Sequence, residues 1–521
     1  MTMKTVREMI EGEERALSLR RNWEPIWGDC YDYCMPGHNG FTNLSPGQRA
    51  DELIFDETAI VGTQEFASRM VQGIVPNNSR WTRLEPAPEV MGELDENQTA
   101  QLQGELDDVT DYAFDVINNS NFSQEVHEAM LDVAIGTGNM TIEEGDAVHP
   151  LKFNAVPLSH VALERGPYDT IGAQYRKRVV RADNIMTIWP EGVLNRELRE
   201  IIAKEPHKEI TVSEVCSRDW SELDETHHYC VYLKSSEHKI HSETYTGIGS
   251  NPWVSFRWAK TAGEIYGRGP IFNGLSAIKT CNLTVQLILE NAELAVSGVW
   301  QGDDDGVLNP ANIRLIPGTV IPRSAGSRGL EPLQFPGSFD VAQLVLNDMR
   351  HNINRALYNE TLGRREGTPI SATEVAERMG ELSRQLGSTY GRLQAELVLP
   401  LMKRVLYILK KQGRITLPQI DGREIRIRAV SPMMRAQRNE DISQHINYVR
   451  TMGELFGPAT VQTIVDPRAF AEKLAPWYEV DPAVLMSQEQ AQELAQQSGE
   501  MAGQGGASAG DMMSTIQELM P

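Results

Sequence analysis

Between residues 269 and 412 the sequence sets out a helix, a proline-rich insert, a returning helix, a loop and then a much longer helix. Few architectures accept that order. Gly269 to Gly298 is rich in Ile, Leu and Val with Thr, Asn and Gln interspersed, and predicts a helix of about 26 residues, roughly 39 Å long. Residues 299–338 hold Pro310, Pro317, Pro322, Pro332 and Pro336, with short β-prone runs such as IRLI and GTVI. Helical periodicity returns from Asp340 to about Thr361, and the loop LGRREGTPIS follows. Thr373, Glu374 and Glu377 supply an N-terminal cap for the last helix. Along it Val375, Met379, Leu382, Leu386, Tyr390, Leu393 and Leu397 recur at spacings of three or four, an apolar seam that reads as ordinary core. Pro400 is expected to kink it before it ends near Gln412.

Upstream, helical patterning runs from Thr5 to about Met35, closed by Pro36-Gly37, and again over residues 56–75, 93–119 and 122–135. SRWTRLEP (79–86) reads as a short strand. From Met140 to Trp258 the period shortens to β-type runs, MTIEE, LKFNAVPL, AQYRKRVV, HHYCVYLK and PWVSFRW, interrupted by one helix at about 182–204. The fold class is therefore α+β, mainly helical. From Gln488 the chain is Gln, Gly and Ser rich, and a mobile tail is expected over 486–521.

The 521 residues suffice for about three compact units or one elongated subunit. Asp and Glu number 72 against 49 Lys and Arg, a net charge of −23. Such a chain does not simply wrap nucleic acid, because phosphate binding needs cations; a channel through which DNA slides stays open. Cys30, Cys34, Cys216, Cys230 and Cys281 are few, odd in number and scattered, which suits a reducing compartment. The N-terminus lacks an apolar signal core and no run approaches the roughly 18 apolar residues of a membrane span, so a soluble, intracellularly made protein is expected.

Catalytic patterns are missing. GRREGT (363–368) lacks the Gly-Lys-Ser/Thr element of a phosphate loop, and there is neither a GxSxG elbow nor an HExxH helix. GEIYGRG (263–269) reads as a tight turn before a helix. Asp303, Asp304 and Asp305 offer hard oxygen ligands to a divalent cation, but no second acidic or His cluster accompanies them, so a solvated loop is the expectation. Cys30, Cys34 and His38 approach metal-ligand spacing without a fourth ligand, and Cys30 and Cys34, at i and i+4 of an apolar helix, read as buried small hydrophobes. Strand alternation splits His227, His228 and Cys230 across two faces. No metal, cofactor or enzymatic activity is expected. Arg176, Lys177, Arg178 and Arg181 alternate along a strand as a solvated edge or subunit-contact face. Arg364 and Arg365 stand in the loop between two long helices, where their role depends on what the loop faces.

The segment FRWAKTAGEIYGRGPIFNGLSAIKTCNLTVQLILENAELAV (256–296) resembles the portal, or head-to-tail connecting, proteins of short-tailed T7-like bacteriophages. So do SRWTRLEP, NNSNFSQEVHEAMLDVAIGTGNMTIEEG (118–145), PISATEVAERMGELSRQLGSTYGRLQAELVLPLMKRVLYIL (369–409) and VSPMMRAQRNEDI (430–442), in family order over about residues 5–485. The resemblance implies the portal fold of wing, stem, clip and crown, assembled as a ring of about twelve subunits. It implies an N-terminal α+β wing over 1–270, a stem helix over 271–298, a clip over 299–338 and a return stem helix over 339–361. A channel loop over 362–371, a long kinked wing helix with its following strand over 372–429 and a crown over 430–485 complete the assignment.

The implied function is a ring at one capsid vertex through which DNA is packaged and ejected. Implied partners are terminase, the tail adaptor, major capsid and scaffolding proteins, internal core proteins and double-stranded DNA passing without sequence specificity. No direct membrane insertion is implied, and the protein would be a virion component assembled in the host cytoplasm. Arg364 and Arg365 would then lie on the channel loop, and Asp303, Asp304 and Asp305 in or beside the clip where the adaptor docks. The alternatives are a phage-encoded metal-dependent nuclease or hydrolase built on the Asp303 cluster, or a helical scaffold or adaptor without a channel.

Overall fold

The structure is a computed structural model of the 521-residue chain. It describes residues 4–38, 40–41, 54–77, 79–92, 94–222, 224–297, 300–302, 330–332, 339–359, 385–416, 425–457, 465 and 470–471. The chain divides into two compact units, Met1–Met434 and Arg435–Pro521. The described helices are α1 (Val6–Arg20), α2 (Glu24–Cys34), α3 (Thr58–Ile74), α4 (Glu96–Asn118), α5 (Phe122–Ile135), α6 (Arg196–Lys204), α7 (Pro270–Ser297), α8 (Phe339–Ala356), α9 (Ser388–Leu393), α10 (Leu399–Lys411) and α11 (Pro432–Phe456). Single-turn helices at Pro88–Met91 and Ile185–Ile188 stand apart from these. The strands are β1 (Thr82–Pro86), β2 (Thr137–Glu144), β3 (Leu151–Ala155), β4 (Val161–Arg165), β5 (Ile171–Arg181), β6 (Glu209–Asp219), β7 (Thr226–Leu233), β8 (His238–Thr246), β9 (Trp253–Arg257), β10 (Trp300–Gly302), β11 (Leu330–Pro332) and β12 (Ile425–Ala429).

In the first unit, α1 starts on a capping box: the Thr5 hydroxyl accepts from the Glu8 amide, and the Glu8 carboxylate accepts from the Thr5 amide at 2.7 Å. The single helical stretch expected over 5–35 is two helices. Pro25 explains the break, because it lacks an amide hydrogen and fits the first turn of α2 but not a helix interior. Cys30 and Cys34 on α2 are buried, and burial pushes the Cys30 thiol up to about 12. They pack in the main core with Trp27, Phe66, Met70, Trp81 and Phe122.

Two antiparallel sheets lie beyond these helices. The smaller has the order β3-β2-β9, the larger the meander β4-β5-β6-β7-β8. Alternation sorts the smaller sheet into two faces. Met140, Ile142, Val254 and Phe256 are buried in the core that also holds α5, whereas Thr137, Asn139 and Thr141 pair across the register with Arg257, Ser255 and Trp253 on the opposite face. β1 pairs with β12, closing the first unit through a contact between distant parts of the chain. Residues of the second unit continue α11 to Phe456, where Arg450 and Glu454 pair one turn apart at 3.9 Å.

Several expectations change. Strand β5, which carries Arg176, Lys177, Arg178 and Arg181, is an interior strand between β4 and β6 and not a solvated edge. Arg176 and Arg178 instead flank buried Glu214, at 4.0 and 3.3 Å. The helix expected at about 182–204 is interrupted around Pro190 and resumes as α6, capped by the Asn195 side chain accepting from the Leu198 amide at 2.8 Å. His227 and His228 do occupy opposite environments: buried His227 meets the Ser250 hydroxyl at 3.0 Å and is pulled down to about 3 by burial, while His228 meets Thr244 at 3.0 Å.

A buried carboxyl makes part of this unit pH-sensitive. The Asp132 carboxylate accepts from the Tyr31 hydroxyl at 2.6 Å and from the Leu158 amide at 2.9 Å, joining α5 to α2 and to the β3–β4 connection. Burial raises its pKa from 3.8 to about 7 against the pull of those two donors. The folded state therefore holds a proton that the unfolded chain has released. The resulting stability is complete below about pH 4 and is lost as pH rises toward about 7, with a slope of at most about 1.4 kcal/mol per pH unit. Asp132→Asn can still accept from Leu158 and donate to Tyr31, so urea denaturation of this variant across pH 4–7 is expected to lack that slope.

Candidate functional site

The paired helices α7 and α8 carry the feature that most constrained the sequence. They run antiparallel: Gly274 faces Ala356 near one end, and Cys281 lies beside Arg350 further along. Ile271, Ile278 and Cys281 on α7 and Leu346, Ile353 and Leu357 on or just after α8 are all buried in the main core. β10 and β11 follow and precede these helices as an antiparallel pair, Trp300 opposite Pro332, so the insert between them leaves and returns at one place. Asp303, Asp304 and Asp305 lie outside the described residues, as do the IRLI and GTVI runs.

The segment leading into α3 ties this pair to the rest of the unit. Asn282 on α7 accepts from the Phe55 and Asp56 amides at 2.7 and 3.2 Å. Arg350 on α8 grips Asp56 from two nitrogens at 2.9 and 2.6 Å. Burial opposes the Asp56 charge, but donation from Thr58 and Arg350 prevails and holds its carboxyl below the ordinary range. Lys279 adds an ion pair to Asp29 on α2 at 2.5 Å. Spacing could not reveal this set, because Asp56 and Arg350 are 294 positions apart.

Where α8 ends, the chain is pinned again. Tyr358 adopts φ +57°, its carbonyl accepts from Arg69 at 3.0 Å, and buried Asn359 donates to the Gly62 carbonyl at 2.6 Å. A Cβ at Gly62 would sit 2.8 Å from Leu357 Cδ1, so a larger residue there would require that side chain to shift. The returning helix expected to reach Thr361 thus stops at Ala356. Arg364 and Arg365 lie outside the described residues, and so do Thr373, Val375, Met379 and Leu382. The described part of the seam, Leu386, Tyr390, Leu393 and Leu397, is buried as core. The long helix is broken inside that seam, because Gly387 takes φ +48°.

Beyond the break, α9 passes through a π turn, Gln394–Val398, directly into α10 with Pro400 in its first turn. Pro400 has no amide hydrogen to return to the preceding turn, and the widened turn accommodates that loss. Glu396 in this turn meets Arg257 of β9 in a bidentate pair at 2.6 and 3.0 Å and also accepts from the Arg257 amide at 3.0 Å. On α10, buried Arg404 donates to the Ile142 and Ser250 carbonyls at 3.2 and 2.9 Å.

The outward faces of α7 and α8 are unlike an ordinary solvated surface. Leu283, Leu287 and Leu289 are about half exposed, and Leu344 is 65% exposed with Val345 beside it. Leu283 and Leu287 stand one turn apart on one face of α7, whereas Leu289 is turned to another. Among the described residues no group of three or more His, Cys, Asp or Glu is arranged to hold a metal ion, and no helix is long and apolar enough to cross a membrane.

Comparison with known proteins gives a consistent set. The family model described as bacteriophage head to tail connecting protein matches residues 7–485. A "Probable portal protein" of Bordetella phage BPP-1 is 22% identical over 97% of this chain and 96% of its own. The portal protein of Enterobacteria phage T3 is 20% identical over 97% of this chain and 94% of its own. That of Escherichia phage T7 is 21% identical over 95% and 91%. A chain in the virion of a native gene transfer agent particle aligns over 76% of this chain and 89% of its own at 11% identity and a TM-score of 0.38.

Proposed function

Because this chain belongs to the bacteriophage head to tail connecting protein family, we propose that it is the portal subunit, closing with about eleven further copies into a ring at one capsid vertex. The observation that carries this reading is the family match over residues 7–485, joined by portal relatives aligned over nearly their whole length. The nuclease and channel-free adaptor readings find no support in these relatives. In this proposal α7 and α8 are the stem, β10 and β11 the foot of the clip, the chain after Asn359 the channel loop, and α9 with α10 the wing helix. The crown begins near residue 430 and the tail follows residue 486.

The physical account follows from the parts. Leu283 and Leu287 on α7, with Leu344 on α8, would enter the contact between neighbouring stems, which is how a repeated heterologous contact closes a ring. The net charge of −23 on each copy keeps a DNA polyanion away from the walls, so the duplex slides without being trapped. The clip would dock terminase during filling and the tail adaptor afterwards, with Asp303, Asp304 and Asp305 in or beside the docking face. Capsid, scaffolding and internal core proteins would meet the outer and upper parts of the ring. Electron microscopy of the purified full chain, without nucleotide or metal, tests this. Closed rings with a central hole are expected; a stable 58.2 kDa monomer at high concentration would reject the assignment.

Arg364 and Arg365 are proposed to face the channel. Repeated around the ring, their guanidinium groups would touch phosphate oxygens at any rotation of the duplex without reading sequence. Such contacts are weak and salt-screened, which suits a grip that releases between motor strokes. Arg364→Ala with Arg365→Ala is expected to leave rings and procapsids normal while lowering the DNA packaged or retained per particle. Normal packaging, or failure to form rings, would assign these arginines a structural role instead.

A further inference from the structure

A cleft of about 420 Å³ opens between the larger sheet, β2 and α10, and nothing in DNA transit uses it. Its walls combine aromatic rings, Trp189, Tyr229, Tyr245 and Trp253, with five carboxylates and three permanent cations. The cations are already satisfied. Lys411 pairs with Glu144 at 2.6 Å and faces Glu243 at 3.7 Å, Arg178 pairs with Glu214 at 3.3 Å, and Arg404 is bound to two backbone carbonyls with its plane over Tyr245 and Tyr407.

What remains is acceptor capacity. Glu143 and Glu191 line the cleft with no side-chain hydrogen bond or ion pair among the described residues. Thr141 is only 3% exposed, lines the same cleft, and its hydroxyl has no partner among the described residues. We propose that this cleft binds an aliphatic organic cation, an alkyl guanidinium or ammonium, with its stem against the Trp189 and Trp253 rings and its charge between Glu143, Glu191 and the Thr141 hydroxyl. Aromatic faces attract such cations, the more so when water is excluded. Burial already holds Glu214 above the ordinary carboxylate range, and Glu143 adds to the rise, so an incoming cation relieves a repulsion that the empty cleft keeps. The cation could be a free polyamine-type molecule or an arginine or lysine side chain of a partner protein. The cleft lies within one chain, so its test is separate from ring formation.

The experiment is calorimetric titration of the full-length chain with agmatine, which carries a guanidinium and an ammonium on a short aliphatic stem. One saturable site per chain with a dissociation constant on the order of 1 mM or tighter is expected. In the double variant Glu143→Gln, Glu191→Gln, whose amides preserve shape, binding is expected to weaken roughly tenfold or more, with an unchanged circular dichroism melt. Should the double variant not fold, exposed Glu191→Gln alone serves, and a loss of about threefold is expected. Absence of saturable binding to the unaltered chain, or equal binding by a folded variant, overturns the proposal. Competition with acetyl-Gly-Arg-Gly-amide distinguishes the sources: displacement of agmatine identifies a partner side chain, and retention identifies a free cation.

Discussion

Leu283→Asp combined with Leu287→Asp is expected to leave the chain folded but unable to close a ring. Both leucines lie on α7 about half exposed in the single chain, so their replacement should alter the subunit's own stability by no more than about 0.5 kcal/mol. Between neighbouring stems the same carboxylates would be buried against apolar side chains without partners, which costs several kcal/mol or forces the pair apart. The penalty recurs at each of about twelve contacts, so closure fails even if one contact tolerates it. Sedimentation velocity should show a single slow species with an unchanged melting curve. Normal rings from this variant would mean that the outward faces of α7 and α8 are not where neighbours meet.

Glu396→Ala is the second large effect. Arg257 is 6% exposed at its side chain and holds Glu396 through two guanidinium contacts, so removal of the carboxylate strands a buried charge. Breaking a buried pair from one side costs about 3–5 kcal/mol, and the Arg257 amide also loses its acceptor. The double replacement Arg257→Met with Glu396→Leu removes both charges and should recover most of that loss. Denaturant melts of the three chains measure it: a Glu396→Ala loss below about 1 kcal/mol would place the pair among solvent-screened surface bridges.

The parts of this fold that were legible in sequence are those whose information is local. The limits of α5 and α7 follow from periodicity and flanking turns, and α7 was expected within one residue of its observed span. Three strands of the larger sheet, β4, β6 and β8, were not singled out, and for two of them the reason is plain. β6 is buried along a continuous central run and shows no alternation, and β8 is a polar strand at the sheet's edge. Arg176 and Arg178 looked like an edge because the strand that covers them, with Glu214 opposite Arg176, could not be paired from sequence. The clamp of Asp56, Asn282 and Arg350 was equally hidden, since it joins residues that only the completed fold brings together. The family itself was readable from long ordered motifs, and the comparison over residues 7–485 bears that out.

The π turn at Gln394–Val398 sets which kind of genetic change this region tolerates. It holds one residue more than an α turn would, and each residue added to or removed from a helix rotates everything after it by about 100°. Conservative substitutions within the turn leave the phase of α10 intact. Deleting its extra residue would restore regular helix and leave α10 nearly in phase, whereas a further deletion would swing Arg404 away from the Ile142 and Ser250 carbonyls and turn the buried face of Leu401, Val405 and Ile408 toward water. Related chains should therefore carry this turn at its present length or one residue shorter as regular helix, and at no other length, as a gear keeps its tooth count whatever metal it is cut from.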